Sequence, residues 1–401
     1  MVLMASTWRL WMGTERFPQI PLLSVFVGTS LWIDYAALVI LTAISLLMID
    51  GLLREKRMDT STIAPKLRAA YLVCATALML LFMTNQHRLQ PWAWQFFIFA
   101  MLVVLNTTKQ ANLAASRAVV VSIYLWSAIG KFDFQFLNGL GRQFAAAITD
   151  LVSFPVDAET ISPWIVSLLP IGELMVGILL IFSATRMFGV AAAVGLHLGL
   201  VAILGPWGMD HHAGVVIWNL FFAMITTVLF WPKRIPTGSE KTQLFNALPV
   251  SRHAATILFT TAVIALPLYP DYDHWLAWGL YSPNNRRCSL KLMVTADQGF
   301  EESISPFLVP DENQVVGGMD VVKVDLGRMS LKFLDAPIYP EARMQLGVAK
   351  WVRQQYGLQM PAMITIESKS DRFSGEREVE TIEPNHAEDQ PAPFFFNHLP
   401  R

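Results

Sequence analysis

Charge is scarce in this chain, and unevenly so. Of 401 residues only 15% are Asp, Glu, Lys or Arg, against about 25% in an average soluble chain. The shortage lies in residues 1–280, which are 11% charged, whereas residues 281–401 reach 25%. With 54% hydrophobic residues and a mean hydropathy of +0.43, this split excludes a single soluble globule. It predicts a polytopic membrane domain followed by a polar one. Cysteine is nearly missing: two thiols, Cys74 in an apolar run and Cys288 in the polar part, build no disulfide framework and are expected to stay apart. A net charge of −1 leaves no reason to expect nucleic acid as a partner. The N-terminus lacks the unbroken apolar core and cleavage site of a signal peptide. Trp8, Arg9, Trp11, Glu15, Arg16 and Pro18 instead mark residues 1–30 as a segment lying at the membrane surface. No P-loop or GxSxG occurs, and Gly139 and Gly141 lack the third glycine of a dinucleotide fingerprint. Asp210, His211 and His212 carry no metal assignment, because adjacent histidines diverge by about 100° on a helix and no third ligand has a recognisable spacing.

What is present is a series of apolar runs. Eight approach the roughly 17–25 residues that cross a bilayer: Leu31–Ile49, Leu67–Met83, Trp92–Leu105, Leu113–Gly130, Trp164–Ala184, Met187–Leu204, Ala213–Trp231 and Ala254–Tyr269. The predicted fold is an all-α polytopic membrane helix bundle of about eight transmembrane helices over residues 31–280. A small C-terminal α/β soluble module follows over 281–383, then a tail over 384–401 that is expected to be disordered apart from an aromatic Phe394, Phe395, Phe396 cluster. In the module, strands are expected at Ser289–Thr295, Val321–Leu326 and Ile364–Ser368, with a helix over Tyr339–Tyr356 opened by Pro340 and closed by Gly357. Phe134–Val152 is too polar and Gly-rich to cross and is expected as an amphipathic helix on the surface.

Basic residues near the span ends set the orientation. Twelve (Arg54, Lys56, Arg57, Lys66, Arg68, Lys109, Arg117, Arg186, Lys233, Arg234, Lys241 and Arg252) fall on one side. Five (Arg9, Arg16, Arg88, Lys131 and Arg142) fall on the other. The richer side is expected to be cytoplasmic. This makes the chain an integral multi-pass protein, of the bacterial inner membrane, with its C-terminal module exoplasmic.

Ionisable groups inside spans mark candidate sites. Arg117, Tyr124, Ser127 and Lys131 share one helical stripe. Lys131 reads either as an anchor whose ammonium snorkels to the interface or as a lysine whose surroundings tune it into a base. Glu173, deep in the fifth run after Pro170 and Gly172, needs a partner, and Lys131 or Arg142 can serve, structurally or catalytically. His197 lies between Gly195 and Gly199, a GxxxG spacing that permits close helix approach. It is read as a hydrogen-bonded packing residue or as part of a site.

Gly130-Lys131 and Leu169-Pro170-Ile171-Gly172-Glu173-Leu174 with Gly177 resemble the Gly-Lys and Leu-Pro-x-x-Glu-Leu segments of DoxX and MauE-like membrane proteins. The stretch from Ser122 through Phe132, Asp133 and Gly139 also resembles vitamin K-dependent gamma-carboxylases and their bacterial HTTM relatives. That resemblance implies Lys131 as the base that deprotonates a quinol. Asn85-Gln86-His87-Arg88-Leu89-Gln90-Pro91-Trp92 resembles the polar exoplasmic turn of the same proteins, with His87 at the place of the carboxylase's histidine. The large lumenal domain of true carboxylases has no counterpart here.

Two functions are therefore expected. In the first, the protein binds or acts on a quinone or quinol near the exoplasmic surface. Lys131 and His87 are then catalytic, and Tyr124, Glu173, Arg88, Gln90, Trp92, Arg142 and His197 hold the ligand. In the second, it is a non-enzymatic DoxX/MauE-like scaffold or accessory subunit, whose polar stripe joins helices in the lipid bilayer while the C-terminal module docks an exoplasmic protein partner.

Overall fold

The computed structural model describes residues 1–54, 62–231, 250–295, 300–316, 318–358, 360–382 and 394–401. Lys56, Arg57, Lys233, Arg234 and Lys241, used above for orientation, lie outside them. So do residues 384–393 of the predicted tail. By internal contacts the chain forms two compact units. The first holds residues 39–79 and 91–283; the second holds residues 2–38, 80–90 and 284–401.

Among the described residues six helices are long and apolar enough to cross a membrane, at Trp32–Gly51, Pro65–Thr84, Lys109–Lys131, Pro163–Ile181, Arg186–Leu204 and Ala213–Phe230. The other two predicted spans are helical but short, at Pro91–Leu105 and Ala254–Leu268. At 1.5 Å per residue, fifteen residues reach about 22 Å, less than the ~30 Å hydrocarbon core. Among the described residues the eight predicted runs are thus all helical, and six of them have spanning length.

In the first unit, helix Leu168–Ile181 starts where Pro170 removes an N–H, separating it from the short turn Pro163–Val166. Gly177 sits against the Lys109–Lys131 helix. A Cβ there would lie 2.9 Å from Leu125 Cδ2 and 3.2 Å from Tyr124 Cβ, so any larger residue would require these side chains to shift. The GxxxG expectation fails, since added Cβ atoms at Gly195 and Gly199 would meet nothing within 4 Å. Gly189, on the same helix, makes the close contact instead, its Cβ position lying 2.9 Å from the Leu180 backbone nitrogen. The surface helix predicted over Phe134–Val152 is helical at Gly141–Leu151 after a π-helical turn, Phe136–Leu140. Part of its apolar face is covered by protein, where Phe136, Phe144 and Ala145 bury against Ile161, Val166, Ile203 and Leu204, while Ile148 and Leu151 stay exposed.

The polar module, in the second unit, is a five-stranded antiparallel sheet with order β2-β3-β1-β4-β5. The strands are β1 Arg287–Val294, β2 Leu308–Val316, β3 Met319–Val324, β4 Ala362–Glu367 and β5 Val379–Ile382. In register, Leu290 faces Val324 on one side and Ile364 on the other. Period-2 alternation puts Leu290, Leu292 and Val294 in the core. Helix Ala342–Gln355 joins β1 through Gln345, whose Oε1 accepts from the Cys288 N–H at 2.7 Å. Sequence periodicity located β1, β3, β4 and this helix but missed β2, β5 and helix Leu326–Leu334. The strand β2 reads Leu-Val-Pro-Asp-Glu-Asn-Gln-Val-Val, and its central polar run hides the alternation.

The described end of the tail is hydrogen-bonded within the second unit. The Asn397 N–H donates to Leu22 O at 3.1 Å and the Arg401 N–H to Gln19 O at 2.8 Å. Cys74 and Cys288 are both buried free thiols.

Candidate functional site

The Lys109–Lys131 helix begins with Thr108 accepting from the Ala111 N–H and buries the face carrying Tyr124, Ser127 and Lys131. Lys131 Nζ donates to Glu173 Oε2 at 2.6 Å, to Ser127 Oγ at 2.7 Å and to Ser127 O at 3.2 Å. Its three donors are thereby used. The ion pair expected from the sequence is present, with Lys131 rather than Arg142 as partner. Arg142 instead reaches Asn138 Oδ1 at 3.1 Å and Glu159 O at 3.2 Å. At the other end of the stripe Arg117 donates to Leu229 O at 2.6 Å, capping an orphan carbonyl in the last turn of helix Ala213–Phe230.

One turn further in, four side chains form a directed chain. Asn219 Nδ2 donates to Val215 O at 3.0 Å, so its Oδ1, 2.9 Å from His197 Nδ1, is the acceptor and Nδ1 carries the hydrogen. In the neutral imidazole, Nε2 then accepts from the Tyr124 hydroxyl at 2.8 Å. Thr226 Oγ1, 3.2 Å away, in turn donates to the Tyr124 oxygen. The tautomer follows from this network. Every polar group in it is satisfied, and it ties together the helices carrying Tyr124, His197 and Asn219.

Lys131, Glu173, Tyr124, His197 and Asn219 line a cavity of about 100 Å³, walled otherwise by apolar side chains such as Phe136, Phe144, Leu200 and Phe222. Sites for drug-sized molecules run from about 300 to 1,000 Å³. The space suits a few atoms rather than a ring system with a tail.

The remaining predicted site residues are placed elsewhere. Trp92, in the first unit, stacks edge-on to Phe96 with ring centroids 6.3 Å apart and does not line this cavity. His87, Arg88 and Gln90 belong to the second unit and are consumed there. Gln90 Nε2 donates to His87 O at 2.9 Å. His87 Nε2 lies 2.8 Å from Pro337 O and 3.3 Å from Ser330 Oγ. The Ser330 hydroxyl hydrogen goes to Ala336 O, so Nε2 bears the imidazole proton. Complete burial, opposed by the Pro337 carbonyl and aided by the Arg88 charge, lowers the His87 pKa to about 4.

Arg88, fully buried, donates to Asp34 Oδ1 at 2.9 Å, to Thr84 Oγ1 at 3.1 Å, to Trp11 O at 2.9 Å and to Leu10 O at 3.3 Å. Arg401 pairs with the other Asp34 oxygen. Asp34, Asn219 and Thr226 were not singled out in the sequence. Each is a polar residue inside an apolar run, which is the available signal.

These observations define the class first: the chain is an integral multi-pass membrane protein with a small antiparallel-sheet module. Residues 109–212 match the family model of methylamine utilisation protein MauE. The match opens at the first residue of the Lys131 helix, includes Glu173 and His197, and covers about a quarter of the chain. No curated protein and no solved structure matches this chain. The DoxX/MauE side of the resemblance thus has independent support. The carboxylase and HTTM side rests on its short motifs.

Proposed function

We propose that this protein is a non-enzymatic membrane accessory subunit or scaffold. Its residues 109–212 are a helix bundle of MauE kind, and its sheet module serves an exoplasmic protein partner. The observation that carries this reading is that the bundle's polar groups are spent on one another. Lys131 uses all its donors on Ser127 and Glu173, and the Thr226–Tyr124–His197–Asn219 chain closes on a backbone carbonyl. Groups arranged in this way join helices.

The matching family's name makes methylamine utilisation the first system to test. Deleting the gene in its host should impair growth on methylamine and spare growth on other substrates; unaltered growth on methylamine overturns the assignment. Exoplasmic placement of the module in the bacterial inner membrane, which rests on the twelve-to-five distribution of basic residues, belongs to the same reading. Phe373 is 89% exposed and both native cysteines are buried. Phe373→Cys should therefore label with a membrane-impermeant maleimide in whole spheroplasts, and protection there reverses the topology.

A second reading, in which a quinone or quinol is bound with Lys131 as base, is supported by the ion pair's position at the edge of an apolar cavity. His87, Arg88, Gln90, Trp92 and Arg142 take no part in that cavity. Mass spectrometry of lipids that copurify with the protein tests it. A stoichiometric quinone lost in Leu200→Trp, which fills the cavity, would put the ligand reading first.

A further inference from the structure

A second cleft, of about 390 Å³, lies wholly within the second unit and is lined by Trp8, Arg9, Gly13, Thr14, Arg16, Lys332 and Phe333. We propose that it binds the phosphate of an anionic lipid headgroup. Three cations converge on it from stretches of chain more than 300 residues apart, and no carboxylate lines it. Arg9 is shared with Asp335 at 3.2 Å. Arg16 and Lys332 are exposed and have no ion-pair partner among the described residues. Arg16 is held in a fixed turn, its N–H donating to Thr14 Oγ1 at 2.9 Å beside the Thr14–Phe17 bridge. Gly13, at φ +75°, supplies the reversal that brings Arg16 back alongside Arg9.

Two arguments identify the occupant as lipid. The first is the company the cations keep. Trp8, with the Arg9 guanidinium 5.6 Å from its ring centre, is 55% exposed, and Val2 and Met12, on the short helices Val2–Ser6 and Trp8–Met12, are also exposed. An aromatic and apolar surface beside exposed cations is the chemistry of the headgroup boundary. The second is covalent. The same unit contains Trp32–Leu38, the opening turns of one spanning helix, and Leu80–Thr84, the closing turn of the next. Arg88 binds these two pieces together through Asp34 and Thr84. A unit that owns two adjacent span ends is seated at the bilayer surface. Guanidinium and ammonium groups there meet lipid phosphate before any soluble anion.

The test uses the full chain in detergent, with diheptanoyl-phosphatidylglycerol, diheptanoyl-phosphatidylcholine and inorganic phosphate as probes, and native mass spectrometry as readout. Phosphatidylglycerol should give one more retained adduct than phosphatidylcholine. In the double variant Arg16→Gln, Lys332→Gln that adduct should weaken roughly 25-fold, taking about 1 kcal/mol per cation near a lipid surface. The melting midpoint without lipid should not change, since neither side chain holds an ion-pair partner among the described residues. A second pair, Lys323→Gln with Arg328→Gln, removes equal charge outside the cleft and should leave the adduct intact. Equal loss in that pair reduces the effect to net charge and overturns the site. An unaltered adduct in the first pair overturns it as well. Inorganic phosphate that displaces the adduct at equal concentration overturns the lipid as its source.

Discussion

The two units bury ionised side chains in opposite ways. In the second, Asp34 lies between Arg88 and Arg401, a carboxylate between two guanidinium groups. Arg88 is 0% and Asp34 1% exposed, and backbone carbonyls of Leu10 and Trp11 take further donors. In the first, one lysine and one carboxylate pair beside a small cavity, and the deeper polar residues are neutral. The sealed cluster holds segments distant in sequence in one place. The open pair leaves one side to the cavity. Within that unit His87, Arg88 and Gln90 are all buried and hydrogen-bonded to neighbouring groups.

The strongest way to break this comparison is Asp34→Ala. It strands Arg88 and Arg401 without a carboxylate and should lower the stability of the second unit by about 3–5 kcal/mol. Amide exchange at Leu290–Val294, in the central strand, reads this directly. Adding Arg88→Met should recover part of the loss. No recovery would show that the cluster is not electrostatically coupled.

Next in size is a pH effect confined to the same unit. With its pKa lowered from 6.5 to about 4, His87 stays neutral when folded and takes up a proton when unfolded. Its contribution is intact above pH 6.5 and is lost as pH falls toward 4, by about 3 kcal/mol in full. His87→Gln has no such proton to bind and should flatten that slope in a pH series of exchange measurements. An unchanged slope assigns the acid sensitivity to other groups.

A smaller effect belongs to the first unit. Tyr124→Phe deletes the hydroxyl between Thr226 and His197 and leaves His197 Nε2 without a donor, which should destabilise by about 1–3 kcal/mol. The loss should be read in the melting of the detergent-solubilised chain. Smallest of all is Lys131→Arg. If the pair only joins two helices, the guanidinium keeps the Glu173 contact and the shift stays within about 1 kcal/mol with function intact. Loss of function in a folded Lys131→Arg protein would restore the reading of Lys131 as a base, because a guanidinium does not give up its proton.

Much of this is legible in the sequence. Each of the eight predicted apolar runs coincides within a few residues with a helix among the described residues, because unbroken hydropathy is a local property. Glu173 announced its need for a cation by its depth alone. The choice of Lys131 over Arg142 was not legible, since both lie on the expected side of the bundle and only helix packing ranks their distances. The Gly195–Gly199 spacing misled for the same reason. A small-residue pair permits close approach but does not say which face meets a neighbour, and here it faces open space while Gly189 makes the contact.

By itself the sequence determined the membrane character, the helical runs, the polar C-terminal sheet module and the list of residues that had to find partners. Each follows from the energetics of single segments: the transfer of apolar side chains, the cost of a charge in hydrocarbon and the period of a strand or helix. Only the tertiary structure decided the partners. Asp34 joins Arg88 and Arg401 across 54 and 367 positions of sequence, and Tyr124 meets His197 across 73. Pairings over such separations depend on how whole elements pack, and no local pattern records them.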